Sequence, residues 1–328
     1  MLGQACCFSS FEVQMAKTAQ KNKVVQMNPL EIEIAIASLH STGDYQVLRR
    51  LNLARDLRLG RKAPTHAKVA ICLDTETTGL NHKEDKVIEL GIVAFEFDPL
   101  SGEIYRISDR YSGFEDPGFP IPPEVREITG ISDEMVRGQA FDDAFVDLLA
   151  GKADLVIAHN AAFDRKFVET RFPAFKKLPW ACTVCQIDWS AERLSSRTLD
   201  FLLFKTGSLT INAHRALDDA EGVLGLLLER LPVSGTPIFQ VLLKRAHEVT
   251  SRIFAVSAPF DKKDVLKERG YRWSDGSQGG SKAWWRDVPA DDEPEELAYL
   301  AREIYPRGNT NSVQIMRCDA YARFSVRE

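Results

Sequence analysis

The chain has 328 residues and a formal net charge of −5 at pH 7, with 44% hydrophobic and 27% charged residues. This composition is that of an ordinary soluble globular protein, long enough for one large core and one or two small modules. The slightly acidic balance excludes a uniformly basic nucleic-acid-binding chain, but it does not exclude a local basic groove.

The cysteines and the apolar runs bear on the cellular compartment. Six cysteines are scattered without the density of a disulfide framework, and a free thiol at Cys72 fits a reducing compartment. Cys182 and Cys185 have the spacing of half a zinc site, but without a second pair we expect buried thiols instead. No apolar run approaches about 18 residues and no signal segment is present, so we predict a cytoplasmic protein without membrane contact.

The N-terminal part is predicted to be an appendage. Residues 1–27 are polar, lack a sustained period and are expected to be a disordered tail, and residues 28–64 are expected to form a helical appendage with its own linker. Asn28, Pro29 and Glu31 have the spacing of a capping box with a proline at the first helical position, which predicts a helix through Leu39. After a break at residues 41–44, a second helix is predicted, with an apolar face of Tyr45, Leu48, Leu51 and Leu53.

Residues 65–235 alternate between strand and helix patterns and are predicted to form one α/β domain. Three strands come first, and the turn at residues 98–102 predicts that they form an antiparallel meander. They cover residues 69–73, 87–97 and 104–114. A helix around residues 141–149, a short buried strand at 155–159 and three further helices at 162–172, 199–205 and 216–230 follow. This order predicts a mixed β-sheet flanked by helices.

Residues 236–328 are predicted to contain a linker helix and a small α+β module. The helix has an apolar face of Phe239, Leu242, Leu243 and Ala246. From residue 254 the pattern indicates a strand, a helix and two more short strands, and three of the five tryptophans lie here among lysines and arginines. The acidic run at residues 291–296 is expected to open a final helix that ends near Tyr305.

An acidic pair follows the first buried strand of the α/β domain. Because residues two apart on a strand point to the same face, Asp74 and Glu76 should project side by side. Two neighbouring carboxylates at a buried strand repel each other unless a cation lies between them, so the spacing suggests a metal site. Taken alone, the pair is also compatible with two solvated carboxylates at a strand end.

Two other segments place acidic or imidazole groups at the ends of predicted elements. Asp164 lies in the first turn of a helix directly after the fourth strand, where the helix N-terminus favours a carboxylate in any case. Residues 214–220 read HRALDDA and open another helix. Positions five apart lie on different faces of a continuous helix, so His214 is expected in the loop and Asp219 on the helix.

Four segments taken together resemble the DEDDh 3′→5′ exonucleases. They are residues 74–79 (DTETTG), 128–131 (ITGI), 159–164 (HNAAFD) and 214–220 (HRALDDA). This superfamily includes the proofreading exonuclease subunits of bacterial replicative polymerases, RNase T and oligoribonuclease. The resemblance runs from about residue 69 to residue 231, with all four segments in the family's order and spacing. It implies an RNase H-like mixed sheet flanked by helices.

The resemblance also implies a set of site residues. Four carboxylates would hold two divalent cations, Mg²⁺ or Mn²⁺: Asp74, Glu76, Asp164 and Asp219. His214 would take a proton from the attacking water, and Asp218 would be left as a helix N-terminal charge. Three residues would lie nearest the terminal nucleotide, with turn chemistry and core packing as their alternative roles: Thr77, Asn160 and Phe163.

The implied activity is the release of nucleoside 5′-monophosphates from a 3′ end, in proofreading, repair or end trimming. Single-stranded DNA is the first expectation for the substrate and short RNA the second. A third hypothesis is a non-catalytic recruitment scaffold, but the intact acidic set argues against it. A polymerase or repair protein is a candidate partner, although a free-standing enzyme is favoured, and the oligomeric state is open.

The C-terminal module allows two interpretations. Its aromatic side chains, interleaved with lysine and arginine, could stack bases and neutralise phosphates. Tryptophans also build the cores of small modules, and we expect this role for most of them. Its motifs at residues 270–273 (GYRW) and 282–285 (KAWW) resemble small uncharacterised modules appended to DNA-processing proteins. Under the first interpretation, the module would feed the 3′ end to the nuclease.

Overall fold

The structure, a computed structural model, describes residues 27–57, 62–276, 281–305 and 308–325. The disordered tail predicted for residues 1–27 therefore lies almost entirely outside the described residues. Contacts divide the chain into two compact units, Met1–Leu48 and Arg49–Glu328. No helix in the described ranges is both long and apolar enough to cross a membrane.

The first unit contains helix α1 (Pro29–Ser41), which begins as its sequence predicts. The Asn28 side chain accepts a hydrogen bond from the Glu31 backbone N–H at 3.0 Å, and the Glu31 carboxylate accepts one from the Asn28 N–H at 2.7 Å. Together with Pro29 at the first helical position, these bonds form the predicted capping box and satisfy two N–H groups that the helix itself leaves unpaired.

The second helix predicted from Tyr45 is wrong. Residues 45–48 have no regular structure, Arg49–Arg50 form strand β1, and only a short helix α2 (Leu53–Asp56) follows. Strand β1 pairs in parallel with residues 209 and 210. Leu53 and Leu57 are buried in the core of the second unit. Strand pairing and burial against distant residues therefore decide the conformation of residues 45–57, although their apolar spacing favours one continuous helix.

The second unit is built on a five-stranded mixed sheet. Its strands are β2 (Lys68–Thr77), β3 (Val87–Phe97), β4 (Ile104–Phe114), β5 (Leu155–Ala158) and β6 (Trp180–Cys182). Their order is β4-β3-β2-β5-β6, with β2, β3 and β4 antiparallel and β2, β5 and β6 parallel. The predicted meander and the RNase H-like mixed sheet are confirmed, although the pattern of β6 was not recognised in the sequence.

Helices cover both faces of this sheet. They are α3 (Pro123–Thr129), α4 (Asp133–Val136), α5 (Asp143–Lys152), α6 (Ala161–Arg171), α7 (Leu199–Gly207) and α8 (Ala216–Leu227), with a 3₁₀ turn at Pro173–Lys177 and a two-residue strand β7 (Leu209–Thr210). Helix α8 lies against β2 and β3 over one hydrophobic core, while α5 and α6 pack with the opposite face. The strand ends that carry the acidic residues thus lie between two packed layers.

The linker helix predicted after residue 235 is α9 (Ile238–His247), and it packs into the main core. Its Phe239 ring contacts Phe95 and Phe97 of β3 with centroid separations of 5.5 and 5.1 Å. Burial of its apolar face against the sheet makes this helix continuous with the α/β core.

The C-terminal module is a second, four-stranded antiparallel sheet with the order β11-β8-β10-β9. Its elements are β8 (Thr250–Ala255), a 3₁₀ turn (Phe260–Lys262), α10 (Lys263–Glu268), β9 (Arg272–Ser274), β10 (Ala283–Pro289), a 3₁₀ turn (Ala290–Asp292), α11 (Glu293–Tyr299), a π-helical turn (Leu300–Ile304) and β11 (Gln314–Cys318). The predicted strand, helix, two strands and final helix are all present, and β11 is an addition. The core of this small sheet contains Ile253, Leu266, Tyr271 and Leu300.

Candidate active site

The acidic pair lies near the end of β2, as its alternation predicts. In the register with β3, Asp74 lies opposite Gly91 and Glu76 opposite Glu89. Oxygens of Asp74, Glu76 and Asp219 all lie within 4.8 Å of one another, so a residue from α8 joins the strand pair in space. These three half-buried carboxylates form a compact group with the geometry of a cation site.

Asp164 approaches the same group from the first turn of α6. Its Oδ1 accepts hydrogen bonds from the Thr75 hydroxyl at 2.9 Å and the Thr75 backbone N–H at 3.2 Å. Thr75, the residue between the acidic pair, therefore orients the buried Asp164 carboxylate. The charge of Asp164 acts on Asp74, although Asp164 is not one of the three residues within 4.8 Å.

Burial weakens the acidity of all four carboxyl groups, and repulsion by neighbouring carboxylates adds to this effect at Asp74 and Glu76. Burial, followed by the charges of Asp164 and Asp219, holds the pKa of Asp74 well above its usual range. Burial raises the pKa of Glu76 to about 8, of Asp164 to about 7 and of Asp219 to about 6. A cluster that repels its own negative charge at neutral pH is chemically suited to a hard divalent cation with oxygen ligands.

The segment before α8 separates the two neighbouring aspartates. Asp219 Oδ2 accepts a hydrogen bond from the Arg215 backbone N–H at 3.1 Å, and its carboxylate joins the acidic group. Asp218 Oδ2 instead accepts a hydrogen bond from the Asn212 amide at 3.1 Å. His214 is exposed in the loop, and its backbone φ is 65°. Its charge lowers the pKa of Asp219, although burial raises that pKa by more. The His214 side chain therefore lies near the acidic group.

Glu89 on β3, which none of the sequence motifs includes, supports this loop. The Glu89 carboxylate is 1% exposed and accepts hydrogen bonds from Arg215 Nη2 at 3.0 Å and from the Ala216 backbone N–H at 3.3 Å. The side chain therefore anchors the start of α8, which carries Asp219. A charged residue inside the otherwise apolar run of residues 87–95 was the signal that could have revealed it.

A close backbone contact also positions α8. At Gly91 of β3, an added Cβ atom would lie 2.2 Å from the backbone carbon of Ala216 and from the nitrogen of Leu217. Only a residue without a side chain permits this approach. Because Gly91 lies opposite Asp74 in the sheet, the same position sets how closely α8 approaches the acidic pair.

The three residues expected near a terminal nucleotide differ in their surroundings. The buried Thr77 hydroxyl donates a hydrogen bond to the Gly79 carbonyl at 2.6 Å, which is turn chemistry. The ring of Phe163 is 4.9 Å from that of Phe167 and packs partly into the core. Asn160 is exposed at the start of α6, where its side chain makes no capping hydrogen bond.

The cysteine pair lies beside this region. Cys182 ends β6 as a buried thiol and donates a hydrogen bond to the His159 carbonyl at 3.3 Å, while Cys185 is exposed. The His159 ring contacts the Thr183 hydroxyl at 2.7 Å and the Arg197 carbonyl at 2.8 Å, and burial lowers its pKa. Because a carbonyl oxygen only accepts, the ring nitrogen facing Arg197 carries the hydrogen.

Comparison with protein families gives one match over most of the α/β domain. The family model described as an exonuclease, RNase T, matches residues 71–227. This range begins in β2 and ends with α8, so it contains the three residues of the acidic group together with Asp164 and His214.

Curated relatives are similar to about half of the chain. The DNA polymerase III subunit epsilon of Treponema pallidum is 34% identical over 170 residues, which are 47% of this chain and 73% of the relative. The PolC-type DNA polymerase III of Clostridium perfringens is 33% identical over 164 residues, which are 48% of this chain and only 11% of that polymerase.

Two solved structures are similar to the chain. One, of exonuclease X with 5′-overhanging duplex DNA, has 27% identity and a TM-score of 0.37, and the match covers 48% of this chain and 89% of that one. The other, of the zinc-bound E. coli ExoI–ssDNA complex, has 13% identity and a TM-score of 0.46, and the match covers 68% of this chain and 63% of that one.

Proposed function

The chain belongs to the DEDDh, or DnaQ-like, 3′→5′ exonuclease superfamily, and from this membership we propose that the protein hydrolyses nucleic acid from the 3′ end. The observation that carries the proposal is the convergence of Asp74 and Glu76 from β2 with Asp219 from α8. A soluble domain has no structural need for three carboxylates within 4.8 Å of one another, because their repulsion opposes folding.

We assign Asp74, Glu76, Asp164 and Asp219 as ligands of two divalent cations, Mg²⁺ or Mn²⁺. The all-oxygen donor set and the raised pKa values of these carboxyl groups support the assignment. When bound, such cations would polarise the scissile phosphate, activate a water molecule and stabilise the leaving oxygen. The chain contributes the orientation of the ligands, through Thr75 to Asp164 and through the Arg215 N–H to Asp219.

His214 is the proposed general base. It lies in an exposed loop next to the acidic group, and its imidazole nitrogen can take a proton from the attacking water. Glu89 and Arg215 hold the chain on its C-terminal side, so the loop has a fixed end while His214 itself is open to solvent. This combination suits a group that must exchange a proton with bulk water in every cycle.

The proposed substrate is single-stranded DNA, with short RNA as the alternative. The curated relatives are DNA polymerase III proteins, which supports DNA. Thr77, Asn160 and Phe163 are proposed to contact the terminal nucleotide. Of these, the exposed Asn160 amide has the most open position, whereas the Thr77 hydroxyl already bonds to Gly79.

Digestion of 5′-labelled single-stranded DNA and a matching RNA with Mg²⁺, Mn²⁺ or EDTA tests the proposal. We expect metal-dependent shortening from the 3′ end, faster on DNA. Asp219→Asn should reduce the rate ~100-fold or more, because it removes a ligand. Asp218→Asn is the matched control, since that neighbouring carboxylate bonds to Asn212 and should change the rate only slightly.

The scaffold hypothesis makes the opposite prediction. A protein that degrades neither strand with any metal, or that responds equally to the two aspartate substitutions, would contradict a catalytic role for the acidic group. Faster digestion of RNA than of DNA would reverse the substrate assignment while leaving the mechanism in place.

A further inference from the structure

A half-exposed tryptophan lies on the edge strand of the C-terminal sheet. Trp273 of β9 is 51% exposed, and its ring packs against Trp284 of β10 at 5.5 Å with an interplanar angle of 62°. The strand pairs with β10 on one side and is at the end of the four-stranded sheet on the other. An exposed indole on an edge strand offers a flat apolar face on which a planar ligand can stack.

The core of the module does not account for this exposure. Trp284 packs against the buried cluster that includes Ile253, Leu266 and Leu300, so one member of the tryptophan pair already has a core role. Trp273 extends the pair outward and leaves about half of its surface in water. The expectation that tryptophans build this small core therefore holds for Trp284 but leaves Trp273 unexplained.

Cationic side chains lie over the two tryptophans of the neighbouring strand β10. The Lys267 ammonium lies 5.9 Å from the Trp284 ring, and Arg272, next to Trp273 in the chain, lies 5.5 Å from the Trp285 ring. Arg272 is exposed, and within the described part of the chain it has no carboxylate oxygen within 4.0 Å. Because residues alternate along a strand, Arg272 and Trp273 flank the same edge from its two faces.

One side chain of this edge, Arg272, interacts electrostatically with the segment that follows β6. The charge of Arg272 acts on the Cys185 thiol, where it opposes the larger rise in pKa that the hydrogen bond with Cys182 causes. Cys182 in turn bonds to the His159 carbonyl, at the start of the segment that carries Asp164.

We propose that the edge of strand β9, with Lys267, Arg272 and Trp273, binds single-stranded DNA. The occupant would be the part of the strand that lies 5′ to the end held at the acidic group, so the site rests on the proposed function. An indole offers a stacking surface that any base can use, and the two cations would contact phosphates. Binding should therefore be tolerant of sequence and sensitive to salt.

Fluorescence anisotropy with labelled oligo(dT) on the full-length Asp74→Ala protein, without metal, tests this site separately from catalysis. Trp273→Ala should weaken binding of a 20-mer about tenfold, and Trp273→Phe should retain most of the affinity because it keeps a stacking ring. The loss should shrink as the strand is shortened. Arg272→Ala, a surface change that leaves the tryptophan pair intact, should lower the slope of log affinity against log salt by ~0.7.

Two exposed side chains serve as matched controls. Tyr45→Ala removes an aromatic ring of similar exposure, 60%, and Arg302→Ala removes a cation that is 67% exposed. Neither change should affect affinity. The proposal is overturned if Trp273→Ala binds the 20-mer as the parent does, if Tyr45→Ala causes an equal loss, or if the loss is the same at every strand length.

Failure of this site and failure of the proposed function give different results. If the wild-type protein degrades DNA but Trp273→Ala and Arg272→Ala bind oligo(dT) as tightly as the parent, the edge site is refuted and the nuclease assignment is not. A wild-type protein that binds oligo(dT) through Trp273 but degrades no strand would refute the nuclease assignment and leave the binding site standing.

Discussion

The Arg165 guanidinium donates a hydrogen bond of 2.6 Å to the backbone carbonyl of Tyr321, 156 positions further along the chain. The same group donates to the carbonyl of Arg323 at 2.6 Å and forms an ion pair with Glu169 at 2.7 Å. Arg165 is completely buried and directly follows Asp164 in α6. The helix that supplies an acidic residue to the site is thus bound to the C-terminal segment.

Replacing Arg165 should destabilise the protein strongly. Arg165→Met would remove the ion pair with the buried Glu169 carboxylate and the hydrogen bonds to four backbone carbonyls, which is expected to lower the free energy of unfolding by about 3–5 kcal/mol. Chemical denaturation measures the change. The control is Arg302→Met, at an exposed pair with Glu303, where the loss should be below about 1 kcal/mol. Similar losses for both variants would contradict the anchoring role.

The C-terminal segment should be needed for a stable nuclease core. Phe324 is buried in the hydrophobic cluster that includes residues of α6. The backbone N–H of Trp180, on the edge strand β6, donates a hydrogen bond to the Ala320 carbonyl at 2.8 Å. A chain that ends at residue 318 should lose both contacts and unfold at lower denaturant concentration. Unchanged unfolding of the shortened chain would show that these contacts contribute little.

Metal binding should strengthen as the pH rises. A cation must displace protons from carboxyl groups whose pKa values are raised to about 6, 7 and 8 in Asp219, Asp164 and Glu76. Between about pH 6 and pH 8 the half-saturating Mg²⁺ concentration should fall, by roughly tenfold per pH unit for each proton displaced. Mg²⁺ titrations by calorimetry at several pH values measure this. A half-saturating concentration that does not vary with pH would contradict the raised pKa values.

The same groups should make the metal-free protein less stable as the pH rises. Their folded pKa values lie above the unfolded values near 4, so between these limits the folded state binds more protons than the unfolded state. The contribution of these groups to the stability of the folded protein is therefore greatest below about pH 4. It falls as the pH rises and is lost once the pH has passed through the folded pKa values of about 6 to 8. Glu76→Gln should therefore raise the free energy of unfolding at pH 8 by roughly 1–2 kcal/mol, while removing one of the proposed metal ligands.

Glu89→Gln provides the contrasting control. Glu89 is buried with a cationic partner, Arg215, so neutralising it should destabilise the protein where neutralising Glu76 stabilises it. Thermal unfolding in EDTA compares the two variants directly. If both variants shift the midpoint in the same direction, the distinction between a repelling and a paired carboxylate is wrong.

Gly91→Ala should impair activity through α8. The new Cβ atom would lie 2.2 Å from the Ala216 backbone, which cannot move aside as a flexible side chain could. We expect a loss of about 1–3 kcal/mol in stability together with weaker metal binding, because Asp219 moves with the helix. Gly151→Ala is the matched control, since no atom lies within 4 Å of the added Cβ there. Equal metal affinity in both variants would show that the contact at Gly91 does not set the site.

The sequence by itself determined the longer strands of the main sheet, its main helices and the candidate acidic residues. Apolar runs and turn residues act over short distances, so β2, β3, β4 and the helix with the capping box at Asn28 follow from local pattern. The alternation of β2 places Asp74 and Glu76 on one face for the same reason. Side chains two residues apart on a strand share a face because of the backbone geometry alone, so the placement of Asp74 and Glu76 needs no contact with a distant segment.

Only the tertiary structure decided the contacts between distant segments. The apolar spacing of Tyr45, Leu48, Leu51 and Leu53 suits one helix, but pairing of β1 with β7 and burial of Leu53 in the main core override it. The bonds from Arg165 to Tyr321 and from Arg215 to Glu89 join residues 156 and 126 positions apart. Their partners are backbone carbonyls or a single carboxylate, which carry no pattern along the chain, so the folded arrangement alone reveals them.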